Sequence, residues 1–302
     1  MSDKQHPHEI PVIFECQGQR LIGTIHQADA AATAGVLVIV GGPQYRAGSH
    51  RQFVLLARHL AAQGIPAMRF DVRGMGDSEG RPRSFQQIDD DIRTAVDCFL
   101  ASCPALSQVV LWGLCDAASA ALFYGYQDSR VKGLVLLNPW VFTEQGAAKT
   151  YLKHYYLQRL FSKDLWRKVL SLKFDYANSM TSFLNLLKQA VGQTQVLQTT
   201  DAVIRVDENM TLPIRMRECL RQFTYPVLLI LSGRDLTADE FKETVKGDPE
   251  WQALLSEVRV TRRDFAEADH TFSSGAWRDQ VAGWTSIWVK NLNKTAKTHN
   301  NG

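Results

Sequence analysis

Long hydrophobic runs are missing from this sequence. The two longest apolar stretches, GVLVIVGG and PVLLILSG, end in glycine and are much shorter than the roughly 20 residues that a membrane-spanning helix needs. The opening residues, MSDKQHPHEIPVIFE, also lack the basic patch, apolar core and small-residue cleavage site of a secretory signal. We therefore expect no membrane span and no export by the secretory route.

Cysteine is scarce as well, with five residues in a chain of 302. No Cys-x-x-Cys pair occurs, and no histidine stands at a spacing suited to zinc. We therefore predict free thiols in a reducing cytoplasm, without a disulfide framework or a metal site. Four of the cysteines lie at no functional junction and are interpreted as small buried packing residues: Cys16, Cys98, Cys103 and Cys219.

Charge of one sign is not in large excess, because 34 basic residues face 31 acidic ones and the formal net charge is +3. Such a balance does not favour nucleic acid as a partner. A phosphate-binding loop is also missing, since Gly74 and Gly76 lack the further spacing of a dinucleotide or P-loop motif. We therefore expect a small-molecule substrate, no nucleic-acid partner and no cofactor, whereas no pattern predicts an oligomeric state.

The sequence does contain short β-branched apolar runs that alternate with helical patterns, which is typical of a mainly parallel sheet covered by helices. The runs PVIFEC and RLIGTIHQ are separated by only three residues and predict an antiparallel hairpin ahead of the parallel strands. Helical periodicity predicts helices over residues 51–63, 85–102 and 277–292, with Ser84 as a possible cap of the second.

The alternation stops at residues 141–223, where segments such as YLKHYYLQRLFSKDLWRKVLSL are helical in pattern, charged and aromatic. We therefore predict an α/β fold with a mainly parallel eight-stranded sheet and helices on both faces. Residues 1–140 and 224–302 form its core, and residues 141–223 form a helical cap insertion. Aromatic residues of the cap could cover an apolar acyl pocket or only pack together: Tyr151, Tyr155, Tyr156, Phe161 and Trp166.

Cys115 lies where the strand QVVLWG passes almost directly into an Ala-rich helix. A sharp turn at such a junction can lift a nucleophile above the sheet edge, and it needs small residues two before and two after, here Gly113 and Ala117. Glycine is more usual than alanine at the second position. The helix start offers free N–H groups and a dipole that stabilise a thiolate and an oxyanion. Cys115 is therefore the predicted nucleophile, with a small buried packing residue as the alternative.

A cysteine nucleophile needs a histidine base and an acid that orients it. Asp235 follows the strand PVLLILSG, and His270 follows the last strand-like run. The order nucleophile, acid, histidine is the order that α/β-hydrolases use. In isolation, Asp235 could form a turn and His270 could lie beside a helix cap. Asp239 and Asp269 are weaker candidates for the acid, since the first falls on a predicted helix and the second adjoins His270.

The segment DVRGMGDS, which begins at Asp71, is similar to the D-x-R-G-x-G-x-S loop of the α/β-hydrolase superfamily. The stretches GGPQYRAGSHRQF, FDVRGMGDSEG and GLCDAASAAL together resemble hydrolase 1 of the exosortase A system, a bacterial group associated with exopolysaccharide gene clusters. The resemblance to the α/β-hydrolase superfamily covers nearly the whole chain. It implies the α/β-hydrolase fold, and it implies an oxyanion hole in which the backbone N–H of Asp116 is one donor.

The resemblance also implies a second oxyanion donor from the loop after the third strand, Gly41-Gly42-Pro43-Gln44. A simple alignment places Pro43 at the donor position, but proline has no N–H. We therefore expect Gln44 to be the donor, with Gly42 as the less favoured alternative.

These residues predict a hydrolase in which Cys115 forms an acyl-thioenzyme with an activated ester or thioester, and His270 then activates water. An acyltransferase that passes the same acyl group to an alcohol or amine is one alternative. A non-catalytic binding or scaffold protein on the hydrolase fold is another. The resemblance suggests surface polysaccharide modification, by removal or transfer of an acyl substituent.

Overall fold

The computed structural model describes residues 8–28, 32–142, 206 and 210–299. Most of the predicted cap therefore lies outside the described residues, and the cap stays a prediction. The aromatic residues proposed to cover an acyl pocket lie outside them too: Tyr151, Tyr155, Tyr156, Phe161 and Trp166.

The described residues form one eight-stranded sheet. In chain order its strands are β1 (Glu9–Cys16), β2 (Gln19–His26), β3 (Ala34–Ile39), β4 (Ala67–Phe70), β5 (Gln108–Leu114), β6 (Val131–Leu137), β7 (Val227–Arg234) and β8 (Val260–Asp269). In space the order is β1-β2-β4-β3-β5-β6-β7-β8. The β1–β2 and β2–β4 pairs are antiparallel, and every other pair is parallel. The predicted sheet and its leading hairpin are confirmed.

Seven α-helices belong to the described part of the chain. They are α1 (Gln52–Ala62), α2 (Asp89–Ser102), α3 (Asp116–Gly125), α4 (Leu212–Gln222), α5 (Leu236–Lys246), α6 (Pro249–Leu255) and α7 (Gly275–His299). The helix predicted over residues 85–102 begins later, because Phe85–Gln87 forms a separate 3₁₀ turn. Ser84 caps that turn and not α2, since its side chain accepts from the Gln86 N–H. Three aspartates, which suit the positive end of a helix dipole, open α2 instead.

Helices cover both faces of the sheet. Alternate residues of β5 point to opposite faces: Leu111 lies in a buried cluster with α2, α3 and α4, whereas Trp112 lies in a second cluster with α1 and α7. Helix α4 falls inside the segment predicted as a cap, yet it packs on α3 and buries Met216 and Leu220 in the first cluster. This helix therefore contributes to the layer that covers the sheet.

The loop after β4 holds the loop after β3 in place. The buried Asp71 carboxylate accepts from the backbone and side chain of Arg46 and from the Asp77 N–H at 3.1 Å. Gly76 adopts a positive φ of 55°, and a Cβ there would lie 2.3 Å from Asp71 Oδ2. The D-x-R-G-x-G-x-S segment is thus a structural brace, and through Arg46 it fixes the loop that faces the start of α3.

Candidate active site

The three residues predicted as a triad come together at one edge of the sheet. Cys115 follows β5, Asp235 follows β7 and His270 follows β8, and the carboxyl ends of these parallel strands lie on the same side. His270 Nδ1 is 2.9 Å from Asp235 Oδ2. The His270 side chain also forms a hydrogen bond with Cys115. The histidine therefore links the thiol to the carboxylate.

Cys115 is held in a backbone conformation that few L-residues adopt, with φ of 63° and ψ of −126°. Its N–H donates to the Leu137 carbonyl at 2.9 Å. Its own carbonyl accepts from the N–H of Ala118 at 3.0 Å and from that of Trp140 at 3.3 Å. Such strain persists only where the surroundings impose it, and it is common at functional sites. The turn therefore has the geometry expected of a nucleophile elbow.

The small residues around Cys115 explain how the turn fits against its neighbours. A Cβ on Gly113 would lie 2.4 Å from the Ala117 carbonyl oxygen, so that only glycine fits there. Ala117 stands where glycine is usual, and it is accommodated because Gly41 opposes it. A Cβ on Gly41 would lie 2.9 Å from the Ala117 Cβ, and the missing methyl of one residue makes room for the methyl of the other.

Asp235 is positioned by the helix that follows it. It is the N-cap of α5, where its carboxylate accepts from the N–H groups of Thr237 at 3.2 Å and Ala238 at 3.1 Å. The residue is buried, and the helix dipole stabilises its negative charge. Asp235 is thus a helix cap and the partner of His270 at once, because its Oδ2 accepts from Ala238 and faces the imidazole.

The two other candidate acids have different partners. Asp239 forms an ion pair with Lys242 at 3.2 Å. Asp269 accepts from the backbone N–H of Ser273 at 2.9 Å and from its hydroxyl. Although burial raises the pKa of Asp269, these hydrogen bonds hold it below its ordinary value. The geometry therefore favours Asp235 as the acid beside His270.

His270 is more basic than an ordinary histidine. The close contacts of its imidazole with Asp235 and with Cys115 raise its pKa to about 10, and burial opposes them. Nδ1 is buried, and its 2.9 Å contact with Asp235 Oδ2 is a close ion pair that no other hydrogen bond within the described residues supplements. A basic imidazole in contact with a thiol can take the thiol proton and then stabilise the thiolate as an ion pair.

A buried polar pair, which the sequence patterns did not single out, holds the backbone that carries His270. Asn138 Nδ2 donates to the His270 carbonyl at 3.1 Å and to Ser232 Oγ at 2.9 Å. The Ser232 N–H donates to Asn138 Oδ1 at 2.8 Å, and its hydroxyl donates to the Asp269 carbonyl at 2.9 Å. Both residues are fully buried. The available signal was a polar residue at the end of a buried apolar strand, because such a residue requires hydrogen-bond partners.

The two predicted second oxyanion donors have different surroundings. The Gly42 N–H lies at the start of α3, where it donates to Asp116 Oδ2 at 2.8 Å. Gln44 braces its own loop, since its Oε1 accepts from the Ser49 N–H at 3.2 Å. These contacts place the Gly42 N–H beside the residue after Cys115 but do not involve the Gln44 N–H, so Gln44 and Gly42 both stay predicted donors.

The other four cysteines lie away from this site, and all five are free. Burial raises the pKa of each of the four thiols, that of Cys219 to about 12. Within the described ranges, no cluster of histidine, cysteine, aspartate and glutamate could hold a metal ion. None of the helices described there is long and apolar enough to cross a membrane.

Comparison with protein families gives one match over most of the chain. The Hydrolase_4 model, described as serine aminopeptidase, S33, matches residues 31–270. That range begins just before β3 and ends at His270, so that it contains Cys115 and Asp235 as well.

Two curated relatives match shorter stretches. Polyketide transferase claH of Penicillium crustosum is 28% identical over 128 residues, which are 41% of this chain and 42% of that protein. Acyltransferase drtE of Aspergillus calidoustus is 26% identical over 117 residues, which are 37% of this chain and 38% of that protein. The chain thus spans about two fifths of the length of the curated relatives it matches.

A solved structure shows the fold over nearly the full length. The esterase PF2001 of Pyrococcus furiosus superposes with a TM-score of 0.62 at 13% identity, covering 94% of this chain and 91% of that one. At this identity the likeness concerns the fold alone. Together with the family match, it confirms the predicted α/β-hydrolase fold.

Proposed function

Because this chain belongs to the Hydrolase_4 family of serine aminopeptidases, S33, we propose that it is an enzyme that transfers acyl groups through Cys115, Asp235 and His270. One observation carries the proposal. His270 contacts the Asp235 carboxylate at 2.9 Å and the thiol of Cys115, and that thiol lies on a strained turn at the start of α3.

In the proposed reaction, His270 takes the proton of the Cys115 thiol, and the sulfur attacks the substrate carbonyl. A C–S bond forms while the carbonyl π electrons move to oxygen, where backbone N–H groups hold the charge. We assign these donors to Asp116 and to Gly42 or Gln44. The oxyanion then collapses, the leaving group departs with the proton from His270, and an acyl-thioenzyme remains. His270 next removes a proton from water or another acceptor, which attacks the thioester and releases Cys115.

A sulfur nucleophile restricts the substrates that such a site can use. A thiol has a lower pKa than an alcohol, and a thiolate therefore leaves a tetrahedral intermediate more readily than an alkoxide does. Attack on an ordinary amide or ester therefore tends to reverse. Activated esters, thioesters and lactones are the substrates that we expect, because their leaving groups compete with the thiolate.

Acyl transfer is the second candidate reaction, since the thioester intermediate is itself an activated acyl donor. The names of the two curated relatives, a polyketide transferase and an acyltransferase, favour it. The resemblance to hydrolase 1 of the exosortase A system suggests an acyl substituent of a bacterial exopolysaccharide as the group removed or transferred.

The experiment that tests this proposal is intact-mass measurement after exposure to activated acyl compounds. We would use 4-nitrophenyl acetate, 4-nitrophenyl octanoate and the matching thioesters of N-acetylcysteamine. We expect an acyl adduct that disappears in Cys115→Ala and persists in Cys103→Ala, a control that removes a thiol outside the site. The rate at which the adduct decays in water or with added alcohol distinguishes hydrolysis from transfer.

An adduct that survives Cys115→Ala would contradict the assignment of the nucleophile. A folded protein with a free thiol and no adduct or turnover with any of the compounds would favour a binding protein on the hydrolase fold.

A further inference from the structure

The Asp116 carboxylate is bound by backbone N–H groups that include two of the proposed oxyanion donors, those of Gly42 and of Asp116 itself. Its Oδ2 accepts from the Gly42 N–H at 2.8 Å, and its Oδ1 accepts from the Ala117 N–H at 3.0 Å. Its own backbone N–H donates to it as well. Three amides from two segments of the chain therefore converge on one carboxylate. Such convergence is how a protein binds an anion at a helix N-terminus.

The space around this carboxylate is shaped to receive it. A Cβ on Gly41 would lie 2.0 Å from Asp116 Oδ1 and 2.7 Å from the Ala117 nitrogen. Only a residue without a side chain thus lets the loop after β3 approach the start of α3 this closely. The contact depends on two positions, Gly41 and Gly42, that bring backbone and not side chains to the carboxylate.

The electrostatic surroundings of the Asp116 carboxylate also resemble those of an oxyanion hole. Burial raises the pKa of Asp116, whereas the three N–H groups and the nearby His270 oppose that rise. The surroundings therefore supply donors and a positive charge, as an oxyanion hole does for negative charge that develops during acyl transfer.

We propose that the Asp116 side chain occupies the oxyanion hole in the resting protein, and that an acyl substrate must displace it in order to react. The inference deepens the proposed function and rests on it for the identity of the displacing group. Asp116 is only partly buried, and its side chain can rotate toward solvent while the backbone N–H groups stay in place.

Displacement would make Asp116 a residue that determines specificity. A neutral carbonyl oxygen that replaces a carboxylate binds the amides less strongly, whereas the tetrahedral oxyanion restores the negative charge. Displacing the internal competitor costs the same free energy in both states, so it weakens substrate binding and transition-state binding alike, and only the oxyanion recovers the charged hydrogen bonds. It selects for acyl groups that gain binding energy elsewhere, and it disfavours acyl groups with a negative charge beside the carbonyl.

The test compares alkylation of Cys115 by iodoacetate and by iodoacetamide, two reagents of similar size that differ in charge. In the native protein the Asp116 carboxylate repels iodoacetate and holds the amides that would bind it. In Asp116→Ala we expect the rate ratio of iodoacetate to iodoacetamide to rise at least about tenfold. Asp116→Asn should give a smaller rise, because the amide oxygen remains as an acceptor without the charge. The rates come from intact mass, and melting curves show that each variant is folded.

Asp97→Asn is the matched control, because it removes a carboxylate from an exposed position on α2 and should leave the ratio unchanged. A ratio that does not rise in Asp116→Ala would overturn the proposal. An equal rise in Asp116→Ala and Asp116→Asn would overturn it too, because charge alone would then explain the effect. Alkylation of Cys115 does not require an acyl-enzyme. The rate ratio therefore tests the position of the Asp116 carboxylate even if the protein does not transfer acyl groups.

Discussion

Two carboxylates at two helix starts, Asp116 on α3 and Asp235 before α5, use free backbone N–H groups in different ways. Asp235 precedes its helix in an extended conformation and accepts from the Thr237 and Ala238 N–H groups. Both donors belong to the helix that the residue caps. The carboxylate is therefore fixed by local structure, and its Oδ2 faces His270 at 2.9 Å.

Asp116 is the first residue of its helix, and its carboxylate bridges two segments. One oxygen accepts from Ala117 in the same turn, and the other accepts from Gly42, 74 residues earlier. Asp116 is also more exposed than Asp235. A helix N-terminus thus holds an acid firmly when all donors are local, and it leaves the acid displaceable when one of them comes from another loop.

The largest expected effect comes from Asp235→Asn, which tests whether the locally capped acid serves the triad. Asparagine is an equally good N-cap, so the helix should remain while the imidazole loses its charged partner. We expect acylation of Cys115 by 4-nitrophenyl acetate to slow by about 10³–10⁴-fold, the loss typical of this change in other triads. Single-turnover measurement of 4-nitrophenolate release checks it.

Asp248→Asn is the matched control for this variant. Asp248 caps α6 with the same pattern, accepting from the Glu250 and Trp251 N–H groups, and it does not contact His270. Equal slowing in both variants would mean that the effect of Asp235 is structural.

The next largest effect is expected from Gly41→Ala, which disturbs the contacts that hold the Asp116 carboxylate. The new Cβ would collide with Asp116 Oδ1 at 2.0 Å and with the backbone nitrogen of Ala117 at 2.7 Å. We expect the free energy of unfolding to fall by about 3 kcal/mol, as for an overpacked core. Urea unfolding checks it. Adding Ala117→Gly removes the methyl that lies 2.9 Å away and should recover part of the loss, and no recovery would contradict the proposed compensation between the two positions.

Ser232→Ala tests the buried hydrogen bonds that hold the backbone of His270, the partner of Asp235. The change removes one hydrogen bond from the Asn138 amide, which keeps the His270 carbonyl, and one from the Asp269 carbonyl, which keeps the Phe272 N–H. We expect the free energy of unfolding to fall by about 2 kcal/mol, with slower acylation, since His270 lies on the backbone that this pair holds. Ser256→Ala is the control, because its hydroxyl donates to a backbone carbonyl on an exposed turn. Equal losses in the two variants would contradict a special role for the buried pair.

Sequence patterns predicted the locally determined half of this site. The junction at Cys115, the position of Asp235 after a buried strand and the eight strands follow from apolar runs that end in turn residues. The contacts of Asp116 and Asn138 could not be predicted in this way, because they join residues 74 and 94 positions apart. The choice between Gln44 and Gly42 as the second oxyanion donor stays open for the same reason, since one segment does not reveal which of its amides faces another.

The smallest expected effect concerns pH and the charge that Asp235 shares with His270. The contacts of His270 with Asp235 and Cys115 raise its pKa from 6.5 to about 10. Because the pKa is higher in the folded protein, this stabilisation is complete below about pH 6.5 and is lost as the pH rises through about 10. The His270 side chain is 35% exposed, so we expect screening to limit the effect to below about 1 kcal/mol. Urea unfolding of the native protein and of Asp235→Asn at both ends of this range measures it. An equal pH dependence in the two proteins would mean that the locally capped acid does not set the charge of the histidine.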